Sequence, residues 1–284
     1  MTTKSTPVFL ALLFSLPINL FAQNSSAKTF DDPRPLISAV RYLQNTYRIA
    51  INYEDPPLEA ASDIVDATDQ VQSARQRLAN PLIRLLVPRG GKLELPAGNL
   101  GIRTGVPSDA MTVLARLIAS HEAAGLLGKF TLGQVAGVPT IVPFSVKNTK
   151  GEWVPTVSIF SERITIPVID RTAAQLTELI LNEIAKKRGV KVGLASAPVQ
   201  LFVSTHVKLG GTDVEAGVML SQLFQELSSK AGAAADVQNL LCYRALFDPQ
   251  VRYYLVTISP VLLLPPPPGN SELVGVSSGK FGGV

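Results

Sequence analysis

The chain is poor in the residues that most often carry out chemistry. It has one cysteine, two histidines and one tryptophan among 284 residues. With only Cys242 available an internal disulfide is excluded, so the fold must rest on its apolar core. Cys242 falls in the strand-like run Leu240-Leu241-Cys242-Tyr243 and reads as a small buried hydrophobe. His121 has no second histidine four residues on, and His206 has no ligand nearby in sequence, so no zinc site is expected. Neither a Gly-x-Ser-x-Gly elbow nor a phosphate-binding loop is present. Ser120-His121-Glu122 is contiguous on a helix, where successive side chains diverge by about 100° and cannot form a relay. Gly210-Gly211-Thr212 reads as a turn feeding a helix, and the carboxylate pairs Asp31-Asp32 and Glu54-Asp55 read as turn and cap residues. No catalytic residue, cofactor site or metal ligand is assigned, and the chain is expected to be non-enzymatic.

Charge of one sign is also scarce. Lys and Arg number 26 against 22 Asp and Glu, and no long run of like charges occurs, so the basic stripe of a nucleic-acid binder is missing. The densest cluster, Lys186-Lys187-Arg188, closes a predicted helix, where the helix dipole favours cations. Long apolar runs are lacking too. Pro7–Phe21 spans about 15 residues, short of the roughly 20 a membrane helix needs, and Pro17 interrupts it. With Lys4 before it and Ala22 after it, residues 1–22 have the layout of a secretory signal peptide. No Cys follows for lipoprotein processing. Lys4 is the only charge in that segment, so its removal leaves 25 basic and 22 acidic side chains. A periplasmic or secreted protein, without stable membrane insertion after cleavage, is expected.

What is present is an α+β pattern. Hydrophobic residues make up 46% and charged residues 17%, a globular composition. Asp32-Pro33-Arg34-Pro35 reads as the start of a helix with Asp32 as N-cap, and Leu36, Val40, Leu43 and Tyr47 share one face. Ile49–Tyr53 follows as a strand. Asp109–Ala124 is a second helix, leading into a hairpin, Lys129–Val135 and Val138–Val142, that turns at Ala136-Gly137. Later come strand Ile164-Thr165-Ile166, helix Ala173–Lys187, strand Val190–Leu194, strand Ser204–Leu209, helix Asp213–Ser229, and the hairpin Leu240–Phe247 against Val251–Ile258. Thr172-Ala173-Ala174-Gln175 and Thr212-Asp213-Val214-Glu215 both match the capping box.

These segments repeat. A shift of 141 residues lays Ile49 on Val190, Ile51 on Val192 and Pro57 on Pro198. A shift of 106 lays Val113, Leu114 and Leu117 on Met219, Leu220 and Leu223. The change of shift implies about 35 additional residues in the first copy, at about 59–100. Within them Leu82–Val87 reads as a strand with Leu93-Glu94-Leu95 pairing back across a turn, and Asp63–Leu78 as a polar surface excursion. The expected organisation is thus a signal peptide (1–22), a first βαβ-βαβ module (28–143), a linker (144–156) holding Trp153, a second module (157–259), and a disordered Pro/Gly/Ser-rich tail (260–284). The sheets are expected to be mixed.

The unit from Glu162 to Ile258 resembles the short N-terminal (STN) domain of secretins and TonB-dependent receptors. Ile164-Thr165-Ile166-Pro167, Leu176–Ile184, Gly189-Val190-Lys191-Val192, Val207-Lys208-Leu209-Gly210, the Val214–Leu227 helix and the Tyr243…Val256-Thr257-Ile258 hairpin carry the resemblance. The first copy is similar more loosely, through Pro35–Tyr53 and Asp109–Val142, with its insertion outside the pattern. The resemblance implies a periplasmic interaction module and envelope partners, secretin or TonB-related, with strand addition as a physical route. The alternative reading is a soluble ligand-binding protein with a cleft between the modules. A third is an enzyme with its site in the Glu59–Leu100 insertion.

Overall fold

The computed structural model describes residues 27–68, 84–95, 100–232 and 239–262. The expected signal peptide and residues 69–83 and 96–99 of the insertion lie outside the described residues, as does the expected tail from 263; its first residues, 260–262, are not tail but the end of a strand paired with residues 239–241. The first half runs β1 (Lys28–Asp32), α1 (Pro35–Tyr47), β2 (Asn52–Glu54), β3 (Ile64–Asp66), β4 (Leu86–Pro88), β5 (Gly91–Leu95), α2 (Pro107–Ala123), β6 (Lys129–Val135), β7 (Val138–Lys147) and β8 (Trp153–Pro155). The second runs β9 (Arg163–Thr172), α3 (Ala173–Arg188), β10 (Lys191–Ser196), α4 (Val199–Ser204), β11 (His206–Glu215), α5 (Ala216–Gly232), β12 (Asn239–Asp248) and β13 (Tyr253–Leu262). The fold is α+β with mixed sheets.

A central sheet of order β10-β13-β12-β2-β7-β6 takes strands from both halves, with β8 added to β7. The β10–β13, β12–β2 and β2–β7 pairs are parallel, and β12–β13 and β6–β7 are antiparallel hairpins. Two small antiparallel sheets, β1–β5 and β9–β11, hold the strands that precede the helices. Each half therefore makes the same pairings in the same chain order. The registers agree row by row: Leu132, Ile141 and Tyr53 line up across the first half as Ala245, Val256 and Leu194 do across the second.

Side-chain alternation places the helices. Tyr243, Ala245 and Phe247 of β12 join one apolar cluster with α3 and α5, whereas Leu246 between them packs against the cluster of α1 and α2. The two helix pairs thus cover opposite faces of one sheet. In α2 the buried stripe is Ala110, Val113, Leu114 and Leu117; in α5 it is Ala216, Met219, Leu220 and Leu223. Helix α1 ends on Arg48 (φ 53°) and α3 on Gly189 (φ 66°), left-handed caps 141 positions apart. The Thr172–Gln175 capping box is formed at α3.

Several boundaries differ from the sequence reading. Asp32 is not the N-cap of α1; it ends β1 and accepts from the Arg34 N–H, and Arg34 caps the helix without a side-chain bond. Strand β5 pairs with β1 and β4 with β3, so the expected hairpin between residues 82–87 and 93–95 does not form. Thr212–Glu215 is strand, not capping box. A Cβ on Gly210 would lie 2.5 Å from the Ile166 carbonyl oxygen, so the glycine lets β11 run close against β9 there, and α5 begins only at Ala216. The 144–156 linker is largely strand, because β7 continues to Lys147 and β8 folds back on it. Helix α4 lies where the reading had none, and β11 starts at His206 rather than Ser204.

Candidate functional site

The sequence Asn52-Tyr53-Glu54-Asp55 crosses the middle of the sheet, where the two halves meet. As a strand end it alternates: Asn52 and Glu54 turn to the second half, and Tyr53 packs in the first-half core. Asn52 accepts from the Tyr243 N–H (3.0 Å) and donates to Thr140 Oγ1 (3.2 Å), so its amide spans both halves. Glu54 is fully buried and accepts from Ser158 Oγ (2.5 Å) and the Ile159 N–H (3.0 Å). Burial pushes its carboxyl up to about 7, against the pull of those two donors and of Arg188. Asp55 accepts from Arg34 Nε (2.7 Å), the Tyr53 hydroxyl (2.9 Å) and the Phe247 N–H (3.1 Å). Arg34 Nη2 also donates to the Phe247 carbonyl (2.7 Å). Glu54-Asp55 is thus a buried seam rather than the turn pair expected. The strand alternation through Ile49–Tyr53 is the signal that could have placed it there.

His121 is buried at 4% exposure, edge-on to Phe130 with ring centroids 5.2 Å apart. Burial lowers its pKa to about 4, so the ring is neutral at physiological pH. It shares a cavity of about 20 Å³ with Arg34, Tyr53 and Asp55, which is room for one water rather than a substrate. The apolar stripe explains its burial, since a shift of 106 lays His121 on the buried Leu227. His206 does not line this cavity. It is exposed at the start of β11, with Nδ1 3.1 Å from Asp170 Oδ2. Cys242 is buried, accepts from Gln44 Nε2 (3.0 Å) and has its thiol pKa raised by burial. Trp153 stands half-exposed between the ammonium groups of Lys129 and Lys147, 5.2 and 5.4 Å from its ring centre. Gly210-Gly211-Thr212 lies inside β11, not at a helix start. Lys187 and Arg188 in the last turn of α3 bind the β9 entry, through the Arg163 carbonyl and Glu162.

Beside the seam lies a cleft of about 540 Å³ between α1 and the outer face of β12–β13. Arg34, Ile37, Ser38 and Arg41 face it at helical spacing, opposite Arg244 and Thr257. Arg34 is paired with Asp55, but among the described residues Arg41 has no ion-pair partner and Arg244 only the Ser259 hydroxyl (3.1 Å). Desolvation and the charge of Arg41 lower the pKa of Arg244. The guanidinium groups of Arg41 and Arg244 therefore face one hollow unpaired by a carboxylate, while Asp32, the one acid in its lining, accepts from the Arg34 N–H. The 34, 37, 38, 41 spacing was visible in the sequence, but Arg244 on the opposite wall comes from a strand 203 residues later. Among the described residues there is no group of three His, Cys, Asp or Glu able to hold a metal, and no helix long and apolar enough to cross a membrane. No family model matches the chain, and no curated protein or solved structure matches it.

Proposed function

We propose that this is an exported, non-enzymatic interaction protein built from two copies of one small module, acting as an adaptor or scaffold in an envelope or secretion assembly. The observation that carries the reading is the repeated order of pairings, β1–β5 with β2-β7-β6 and β9–β11 with β10-β13-β12. Each half has its own apolar cluster, and the sheet they share ends in two open edges, β6 and β10. Open edges are where a partner strand adds. The resemblance of Glu162–Ile258 to the STN domain, together with the signal-like residues 1–22, points to the envelope. Crosslinking in intact cells followed by capture of the tagged chain tests this. A reproducible secretin, TonB-related or other envelope protein above the control is expected; recovery of background alone sinks the reading.

A second reading is favoured by Arg41 and Arg244: a soluble binder for a small anionic ligand in the cleft between the halves. Anionic cell-wall fragments would then raise the melting temperature with concentration, as mass action requires. Arg41→Ala and Arg244→Ala would each remove the shift. No shift with the native protein rules this reading out.

A further inference from the structure

We infer that copies of this chain join head to tail, the β6 edge of one against the β10 edge of the next, repeating between molecules the seam that β12 and β2 make within one. The inference rests on the reading of the halves as copies of one module. Inside the chain, the last-but-one strand of the second half meets the first central strand of the first half in parallel, Arg244 opposite Tyr53 and Ala245 opposite Glu54. The sheet then ends on β6, the counterpart of β12, and on β10, the counterpart of β2. The two free edges are thus the two partners of the internal seam. Row by row, Thr131 and Leu132 correspond to Arg244 and Ala245, and Leu194 to Tyr53; β10 bulges at Ala195, so Ser196, opposite Thr257, takes the row of Glu54.

Strand direction agrees. Along the sheet β10 and β13 run one way, β12, β2 and β7 the other, and β6 returns to the first. A β10 added in parallel to β6 therefore brings the next copy in the same orientation. Its α3 falls on the face of β6–β7 that α1 and α2 leave bare.

Both faces of that contact are present and uncovered. Within the chain, α1 presents Arg34, Ile37, Ser38 and Arg41 to Arg244, Leu246 and Thr257. The counterparts on α3 are Gln175, Glu178, Leu179 and Asn182, which line an open hollow of about 530 Å³ with Leu179 39% exposed. The counterparts on β6–β7 are Thr131, Gly133 and Val142, which line a groove of about 350 Å³ at the other end of the sheet. The α3 hollow also holds Arg171, which is buried and leaves Nε without a hydrogen-bond partner. Thr131 and Gln134 on the groove wall carry acceptor oxygens of the kind that group requires. Unequal surfaces that meet repeatedly make a heterologous interface, which grows into a ring or a filament rather than stopping at a two-fold dimer.

Sedimentation of the mature chain over a concentration series tests the inference. The mean mass is expected to rise with concentration. Gln134→Pro removes an outward N–H from the exposed β6 edge, and Leu179→Glu charges the α3 face; each alone should sediment as monomer. Thr131→Lys and Glu178→Lys repeat the two tests at exposed positions, and circular dichroism verifies that each variant is folded. An equimolar mixture of Gln134→Pro and Leu179→Glu should form a one-to-one dimer and nothing larger, because each keeps the surface the other lacks. A native chain that stays monomeric, folded variants that still grow, or a mixture that does not pair overturns the inference. A monomer that still captures envelope proteins in cells fails here while leaving the interaction function standing.

Discussion

Two buried residues set the acid–base behaviour, and they act in opposite directions. Glu54 has its folded pKa raised to about 7 by burial at the seam, so its contribution is complete below the unfolded carboxyl value and is lost as pH rises through 7. Between pH 5 and 8 this amounts to about 2–3 kcal/mol of stability. Glu54→Gln keeps an acceptor for the Ile159 N–H and can donate to Ser158 Oγ, so that loss should disappear. Urea unfolding of native and variant chains at the two pH values checks it; parallel slopes would refute the assignment. His121 has its folded pKa lowered to about 4, so its contribution is complete above the unfolded value near 6.5 and is lost as pH falls toward 4. His121→Leu, which restores the apolar residue found at the matching place in α5, should gain about 2 kcal/mol over the native chain at pH 5 relative to pH 8. The same unfolding series reads it. The burial of His121 follows from the stripe it shares with Leu227 and that of Glu54 from the Ile49–Tyr53 alternation, but the donors that hold Glu54, Ser158 and Ile159, lie in the other half and could not be paired with it from sequence.

At the scale of elements, the helices were legible and several strands were not. A helix carries its own signature, as in the Thr172–Gln175 box and the Leu176, Ile180, Ile184 stripe of α3. A strand such as β1 or β8 acquires its identity from a partner. Polar Lys28-Thr29-Phe30-Asp31-Asp32 becomes strand because Leu93 and its neighbours lie alongside, more than 60 residues away in the chain. The second capping box failed for a related reason: β9 pairs with Val214 and Glu215 across a bulge at Thr212-Asp213, and Arg163 binds the Asp213 carboxylate at 2.9 Å. The two left-handed helix caps offer a test of the repeat in energy as well as in geometry. Gly189 has open space where a Cβ would go, so Gly189→Ala should cost only the backbone strain, about 1 kcal/mol. Arg48 already bears that strain at φ 53°, so Arg48→Gly should stabilise by up to about 1 kcal/mol. Thermal unfolding of both variants should show shifts of opposite sign; shifts of the same sign would mean the caps are not equivalent.

At the scale of the molecule, each half builds most of one core, with Leu58 and Leu246 crossing to the opposite one, and the two share one sheet in which the parallel pairing of β12 with β2 is short. Side chains must therefore carry much of the coupling. Asp55 is the hub, binding Arg34 and Tyr53 in the first half and the Phe247 N–H in the second, while its own carbonyl accepts from the Tyr254 hydroxyl at 3.3 Å. Asp55→Ala leaves a half-buried guanidinium, a buried phenol and a buried N–H without their acceptor, a loss of about 2–4 kcal/mol. That loss falls on the contact between the halves and not inside either core. The native chain should consequently unfold in one transition, with Trp153 fluorescence, which reports the first half, coinciding with circular dichroism, which reports both. In Asp55→Ala the two curves should separate, the fluorescence change no longer tracking the loss of helix. Coincident curves at an unshifted midpoint would place the coupling elsewhere along the seam, with Asn52 and its bonds to Tyr243 and Thr140 as the next position to test.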